Sequence, residues 1–361
     1  MNRLRWLKSW EFALVIVLAV ELLVLGGINP AFLKLENLLF STNDFAHVII
    51  AALGLTLVII TAGIDISGVA IMGLASIVLG VSWVAGADIW LAVFIALLVG
   101  TLAGGFNGLL VALTDISPMV ITLGSLFMFA GIATGLPGIL ASLGFQAYGA
   151  GGFSAYLYEG ITGLPSEFTR FASGGIGWVP NPLIAVLAVA ALLSLILHRT
   201  RFGRYLYLIG VNPEAARYSG VPVTRVLVSV YALSGFCAAL AGVILTSYIT
   251  SARSDLGSEA LLSIITAVVL GGASILGGSG TVLGTLLAGL ALGFLRQGLL
   301  ALGVTSAVVP VVVGGLLVGI VALKLLTADF VQKRGNERSY QAHRSEQVKA
   351  AQASPLDAKR A

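Results

Sequence analysis

The ionisable side chains that could do chemistry within the long apolar runs of this sequence are Glu21, Asp65, Glu259 and Arg296. A charge in a bilayer is costly and marks a functional position, and an ion-coupled carrier shows a relay of such groups. Four scattered residues do not make a relay. Glu21 lies well inside the first apolar run and needs a partner, so it is a structural pair, a water-facing group or a proton-coupling acid. Asp65, in AGIDIS, either caps the helix that follows it or serves a gate or pathway. An Asp at a helix start accepts backbone N–H groups and complements the helix dipole. With it, Ser67, Asn107, Thr122, Gly271 and Gly272 are candidate pathway or gating residues. Glu259 is placed to help start a helix, and Arg296 to snorkel or to pair with an acid.

No catalytic constellation accompanies them. The sequence has no GxxxxGK[ST] phosphate loop, and GGSG at 277–280 lacks the following Lys. His47, His198 and His343 are scattered, without metal-ligand spacing. The single cysteine, Cys237, excludes an internal disulfide and a cysteine-based metal cluster. It reads as a small buried hydrophobe. Neither a metal nor a cofactor is expected, and the chain is not read as an enzyme.

One polar interruption, residues 198–225, carries Arg199, Arg201, Arg204, Arg217 and Arg225 and encodes a short, well-punctuated helix. Asn212 is its N-cap, Pro213 suits the first helical position and Glu214 adds negative charge to the first turn. Ala215 and Ala216 favour helix, and Arg217 and Tyr218 complete the turn. Ser219 leads to Gly220, which suits the C′ position, and Pro222 blocks continuation. A helix of about seven residues is not stable alone in water. Its own bundle, a partner, or both must hold it.

The elements around these residues are membrane spans. Hydrophobic residues make up 58% of the chain and charged residues 10%, with mean hydropathy +1.02. A soluble domain is nearer to about 25% charged. Runs of about 20 apolar residues, enough to cross about 30 Å of hydrocarbon, fall near 12–28, 45–62, 66–86, 89–113, 118–140, 181–197, 226–248, 259–277, 280–303 and 305–326. Ten spans of an all-α polytopic membrane protein follow. The boundary between the eighth and ninth is glycine-rich, over 271–284. Residues 1–11 precede the spans, 141–180 form the longest external segment, and 327–361 form a polar tail of a composition that favours disorder.

Lys and Arg concentrate at Arg3, Arg5 and Lys8, in the 198–225 loop, and from Lys324 onward, leaving only Lys34, Arg170, Arg253 and Arg296 elsewhere. The positive-inside rule puts both termini and the central loop in the cytoplasm, which demands an even span count, and 141–180 in the periplasm. This distribution, rather than a basic patch, argues against nucleic-acid binding despite a pI near 9.3. Gly100, Gly104 and Gly108, and the pairs Gly280/Gly284 and Gly289/Gly293, recur every four residues. Such spacing forms a small-residue helix stripe that permits close backbone approach in lipid. The stripe serves packing within the chain or a subunit interface.

GVNPEAARYSGVPVTR at 210–225, with RFGRYLYLIG before it, resembles the cytoplasmic coupling loop of the ribose-type (sugar and autoinducer) ABC importer permease family. The family's Gly-x-Asn-x-x-Ala-Ala-x-x-Ser-Gly pattern falls on Gly210, Asn212, Ala215, Ala216, Ser219 and Gly220. AGIDIS at 62–67, SPMVITLGSLFMFAG at 117–131 and ITAVVLGGASILGGSGTVLGTLLAG at 265–289 are similar to further family motifs, in the same order. The resemblance implies a type II-like importer permease bundle in the bacterial inner membrane. It implies a sister permease subunit in a heterodimer, two ATP-binding subunits docked on residues 212–220, and a periplasmic substrate-binding protein. A small polar pentose-derived ligand is the implied cargo; ribose or rhamnose is the alternative.

Overall fold

The computed structural model describes residues 10–142 and 160–319, without the side chains of residues 31, 32 and 140. The basic N-terminus, residues 143–159 of the long external segment, the end of the tenth apolar run and the tail at 327–361 lie outside the described residues. The chain divides into two compact units, residues 1–314 and 315–361, and the helices that position the candidate site all lie in the first.

The first half contains α1 (Trp10–Ile28), α2 (Leu35–Phe40), α3 (Ala46–Ile60), α4 (Gly68–Val84), α5 (Ile89–Leu113) and α6 (Pro118–Ser142). The second contains α7 (Ser166–Ser173), α8 (Asn181–Arg199), α9 (Arg201–Val211), α10 (Pro213–Tyr218), α11 (Val223–Ile249), α12 (Leu261–Leu270) and α13 (Val282–Ala301). A two-stranded antiparallel hairpin, β1 (Gly175–Ile176) and β2 (Val179–Pro180), precedes α8. Asp88 caps α5 by accepting from Trp90 N at 2.9 Å and Leu91 N at 3.4 Å.

Six of these helices, α1, α5, α6, α8, α11 and α13, are long and apolar enough to cross a membrane. A seventh arises if Leu35–Asp44 and α3, bent by 62°, count as one span. The expected ten full-length spans are therefore not what the described residues form. Gly68–Val84 and Ser258–Leu270 are shorter, because irregular backbone replaces helix at 61–67 and 271–281, and Val309–Gly319 reaches the last described residue. The span expected over 259–277 stops at Leu270, and the one expected over 280–303 starts at Val282. Between them Gly272, Gly277, Gly278 and Gly280 have φ of +97°, +84°, +73° and +152°, left-handed or extended values that a side chain would strain. Gly280 thus stands outside any helix, and its spacing to Gly284 is not a helix stripe.

Every residue of α3 is buried, which makes it the axis of the core. The seam between α5 and α11 is closer than side chains permit. A Cβ on Gly100 would stand 2.3 Å from Ala239 Cβ, one on Gly104 2.2 Å from Tyr231 O, and one on Gly108 2.8 Å from Val228 Cα. Gly289 and Gly293 of α13 likewise leave room for Ile49 and Phe45. Gly104→Ala is expected to destabilise the bundle by about 1–3 kcal/mol, because its methyl meets backbone that cannot swing away. Thermal unfolding of the detergent-solubilised chain reads this as a lower midpoint; an unchanged midpoint contradicts so close a seam.

Candidate functional site

The break between α3 and α4 holds a buried polar chain. Asp65 is 4% exposed, and its Oδ1 accepts from Ser67 N at 3.0 Å and Ser67 Oγ at 2.6 Å. Ser234 Oγ, on α11, lies 3.4 Å from Oδ2. Asn107 Nδ2, on α5, donates to Ser67 Oγ at 2.7 Å, and Ser125 Oγ, on α6, donates to Asn107 Oδ1 at 2.5 Å. Thr122 Oγ1 donates to Ile64 O at 3.0 Å and accepts from Ile66 N at 3.4 Å. One irregular segment is thereby fastened to three helices. Ser234 stands about 16 Å along α11 from Val223 at 1.5 Å per residue, so the chain lies within the bundle rather than at its end.

Asp65 does not cap α4 in the usual manner: it engages Ser67, the residue just before the helix, and no side chain caps α4 itself. Among the described residues it has no cationic partner. Beside Asp65 and Ser234 is a void of about 20 Å³, also lined by Gly68, Ala238 and Leu261. That is room for about one water molecule. Among the described residues Tyr231 OH is buried without a hydrogen-bond partner, at a site where a Cβ on Gly63 would lie 2.7 Å away. The structure thus brings Asp65, Ser67, Asn107 and Thr122 together and adds Ser125, Ser234 and Tyr231. The last three stand inside apolar helices and leave no spacing signal in the sequence. Gly271 and Gly272 are not part of this chain of groups. They begin the 271–281 turn, against Thr285 and Trp10.

At one end of the bundle the basic interruption forms two helices where the sequence suggested one. Propensity does not announce α9, since Gly203, Gly210 and five aromatic or β-branched residues weaken it. Its signal was the cap: Thr200 Oγ1 accepts from Gly203 N at 3.2 Å, and Gly203, Leu206, Ile209 and Gly210 line one buried face. α10 follows the expected grammar over Pro213–Tyr218. Asn212 Oδ1 accepts from Ala215 N at 3.0 Å, Gly220 has φ +81°, and Val221 N donates to Ala216 O at 3.1 Å. Ala216 is its one buried residue; Glu214, Ala215 and Arg217 are exposed, and Tyr218 is 92% exposed.

α9 rests on both irregular segments. Tyr207 OH donates to Gly280 O at 2.8 Å, and half-burial raises its hydroxyl above the ordinary phenol range. Gly278 N donates to Ile60 O at 2.9 Å, and a Cβ on Gly210 would stand 1.9 Å from that same carbonyl. Trp10 Nε1 donates to Leu270 O at 2.6 Å, and Thr281 Oγ1 to Glu11 Oε1 at 3.0 Å. The exposed helix therefore connects through α9 to the end of α3, which leads directly into the Asp65 segment.

The other singled-out charges lie elsewhere. Glu21 Oε1 is buried on α1 without a hydrogen-bond partner among the described residues. Glu259 sits in the turn before α12, and Arg296 is exposed on α13. Nearby, Arg253 pairs with Asp255 through two contacts, at 2.9 and 2.7 Å. Hydrogen bonding from the guanidinium holds the Asp255 carboxyl below the ordinary carboxylate range. The pair strengthens above that range and is lost on acidification; being partly exposed, it contributes at most about 1 kcal/mol.

Residues 37–321 match the family described as "Branched-chain amino acid transport system / permease component". The chain is 45% identical over 313 residues to the "Autoinducer 2 import system permease protein LsrD" of Klebsiella pneumoniae subsp. pneumoniae, covering 87% of this chain and 90% of that protein. It is 46% identical over 313 residues to LsrD of Enterobacter sp. (strain 638), covering 87% of this chain and 92% of the relative. To LsrD of Escherichia coli (strain K12) it is 45% identical, over 87% of this chain and 91% of the relative. These relatives are named as transport permeases, not enzymes. The chain belongs to the family of branched-chain transport system permease components and is a multi-pass membrane protein.

Proposed function

We propose that this chain is the permease subunit of an ABC importer of the bacterial inner membrane, and that its cargo is autoinducer-2. The observation that carries the reading is α10. A six-residue helix with one buried side chain is too short to persist by propensity, yet it is capped at both ends and presents an exposed Tyr218. It is a socket for partner subunits that supply the ATP the chain has no loop to bind. Two ATPase subunits, a sister permease and a periplasmic binding protein complete the importer. Positive-inside orientation places both termini and α9–α10 in the cytoplasm and Arg253–Glu259 at the periplasmic end. Ten crossings then include the shorter helices.

In this reading ATP closes the ATPase dimer, α10 follows, and α9 transmits the movement to Ile60 and the 271–281 turn. Asp65, Ser67, Asn107 and Thr122 hold the gate segment, and its rearrangement alternates access. Transport requires differential stabilisation of inward- and outward-facing states, which the partners supply. The test is uptake of labelled autoinducer-2, ribose and rhamnose by cells with and without the gene. Deletion is expected to abolish only autoinducer-2 uptake. Loss of ribose or rhamnose uptake alone overturns the cargo, and ATP-independent transport by the purified chain overturns the importer.

A further inference from the structure

We infer that a polar cavity at the end of the bundle opposite α10 is a binding site for a small polyhydroxylated ligand, occupied before the ligand reaches the Asp65 gate. The inference rests on the importer reading and adds a contact site to it. The cavity has a volume of about 540 Å³ and lies among the start of α3, the end of α11, the turn before α12 and the last turns of α13. That volume suits a small ligand; such sites run to about 300–1,000 Å³.

Its walls divide into fixed and unengaged groups. Asp44 is fixed: Tyr248 OH donates to its Oδ1, and Gln297 Nε2 donates to its Oδ2 at 2.5 Å and to Ser41 O at 2.9 Å. This brace locks one wall across three elements far apart in sequence. His47, Arg296 and Glu259 also line the cavity, and none makes a hydrogen bond or ion pair among the described residues. His47 is 8% exposed, and it borders the cavity. A ligand with several hydroxyls supplies the missing partners: acceptors for Arg296, donors for Glu259, and either for His47. A lone anion would satisfy Arg296 but meet Asp44 and Glu259 as like charges. The mixture of signs therefore selects a neutral polyol over a phosphate or carboxylate.

The single native cysteine allows a direct test. Cys237 is 1% exposed within α11, so an introduced cysteine is labelled against little background. Ser258 lines the cavity and is exposed, and Ser258→Cys is nearly isosteric. In the assembled importer, labelled by a neutral thiol reagent, autoinducer-2 at about ten times its dissociation constant is expected to slow modification about tenfold. Arg296→Gln in the same background is expected to remove the protection. Ser173→Cys, exposed on α7 outside the cavity, is expected to be labelled at an unchanged rate. Equal slowing at both cysteines, or none at Ser258→Cys, overturns the site. Protection by ligand-free binding protein also overturns it, assigning the surface to protein docking. Uptake by the same cells separates the two readings: active uptake without protection rejects the cavity alone, whereas absent uptake rejects the importer assignment.

Discussion

Glutamate at both Ala215 and Arg217 is expected to abolish ATP-driven uptake while leaving the chain folded and at normal abundance in the membrane. Both side chains are exposed on α10, so neither substitution touches the core. The Asn212 cap accepts from a backbone N–H and survives both changes. Charge near the helix C-terminus opposes the dipole by only about 0.3–1 kcal/mol. At a docked surface the effect is far larger. Reversing Arg217 and adding a second acid beside Glu214 desolvates unpaired like charges, and such juxtaposition costs several kcal/mol. Co-purification with the ATPase subunits and uptake in the same cells measure it. The coupling role is falsified if both stay at wild-type levels with normal expression.

Asn107→Ala is expected to reduce uptake at least about tenfold with ATPase association intact. The amide is the link between α5 and the 61–67 segment, donating to Ser67 and accepting from Ser125. Its removal leaves Ser125 without an acceptor and Ser67 without a donor, in a place that excludes bulk water. Each unsatisfied buried group costs about 1–3 kcal/mol, and the vacated volume adds a cavity term. Asn107→Asp separates stability from gating. It keeps the shape but sets a second carboxylate one serine away from Asp65, and the expected outcome is ATP hydrolysis without uptake. Wild-type uptake in both variants removes the polar chain from the transport cycle.

α10 was legible in the sequence to within a residue because its signals are local: a capping Asn, a first-turn Pro, a terminating Gly. The spans were legible where hydropathy continues into regular helix, as in α5 and α11. They were less so at 259–277, where the residues stay apolar but the glycines from Gly271 onward leave the helix. Hydropathy reports burial in lipid or protein and is silent about whether the backbone there is helical. Asp65 drew attention as a charge at a break. Its partners Ser125 and Ser234 did not, since a lone serine in an apolar helix looks the same whether it bonds its own turn or a neighbour. The brace of the cavity was hidden for a different reason, although His47, Glu259 and Arg296 stood out singly. Asp44, Gln297 and Tyr248 are distant in sequence, and only the tertiary fold joins them.

The glycine seam between α5 and α11 has a mechanical meaning. Asp65 reaches α11 through Ser234 and α5 through Ser67 and Asn107, so both anchors belong to a pair of helices in backbone contact. In the proposed transport cycle that pair is the stator. It lacks the side-chain slack that would absorb a displacement. In the importer mechanism proposed above, a push arriving from α9 at Ile60 displaces the 61–67 segment against this frame, and a stroke of small amplitude suffices.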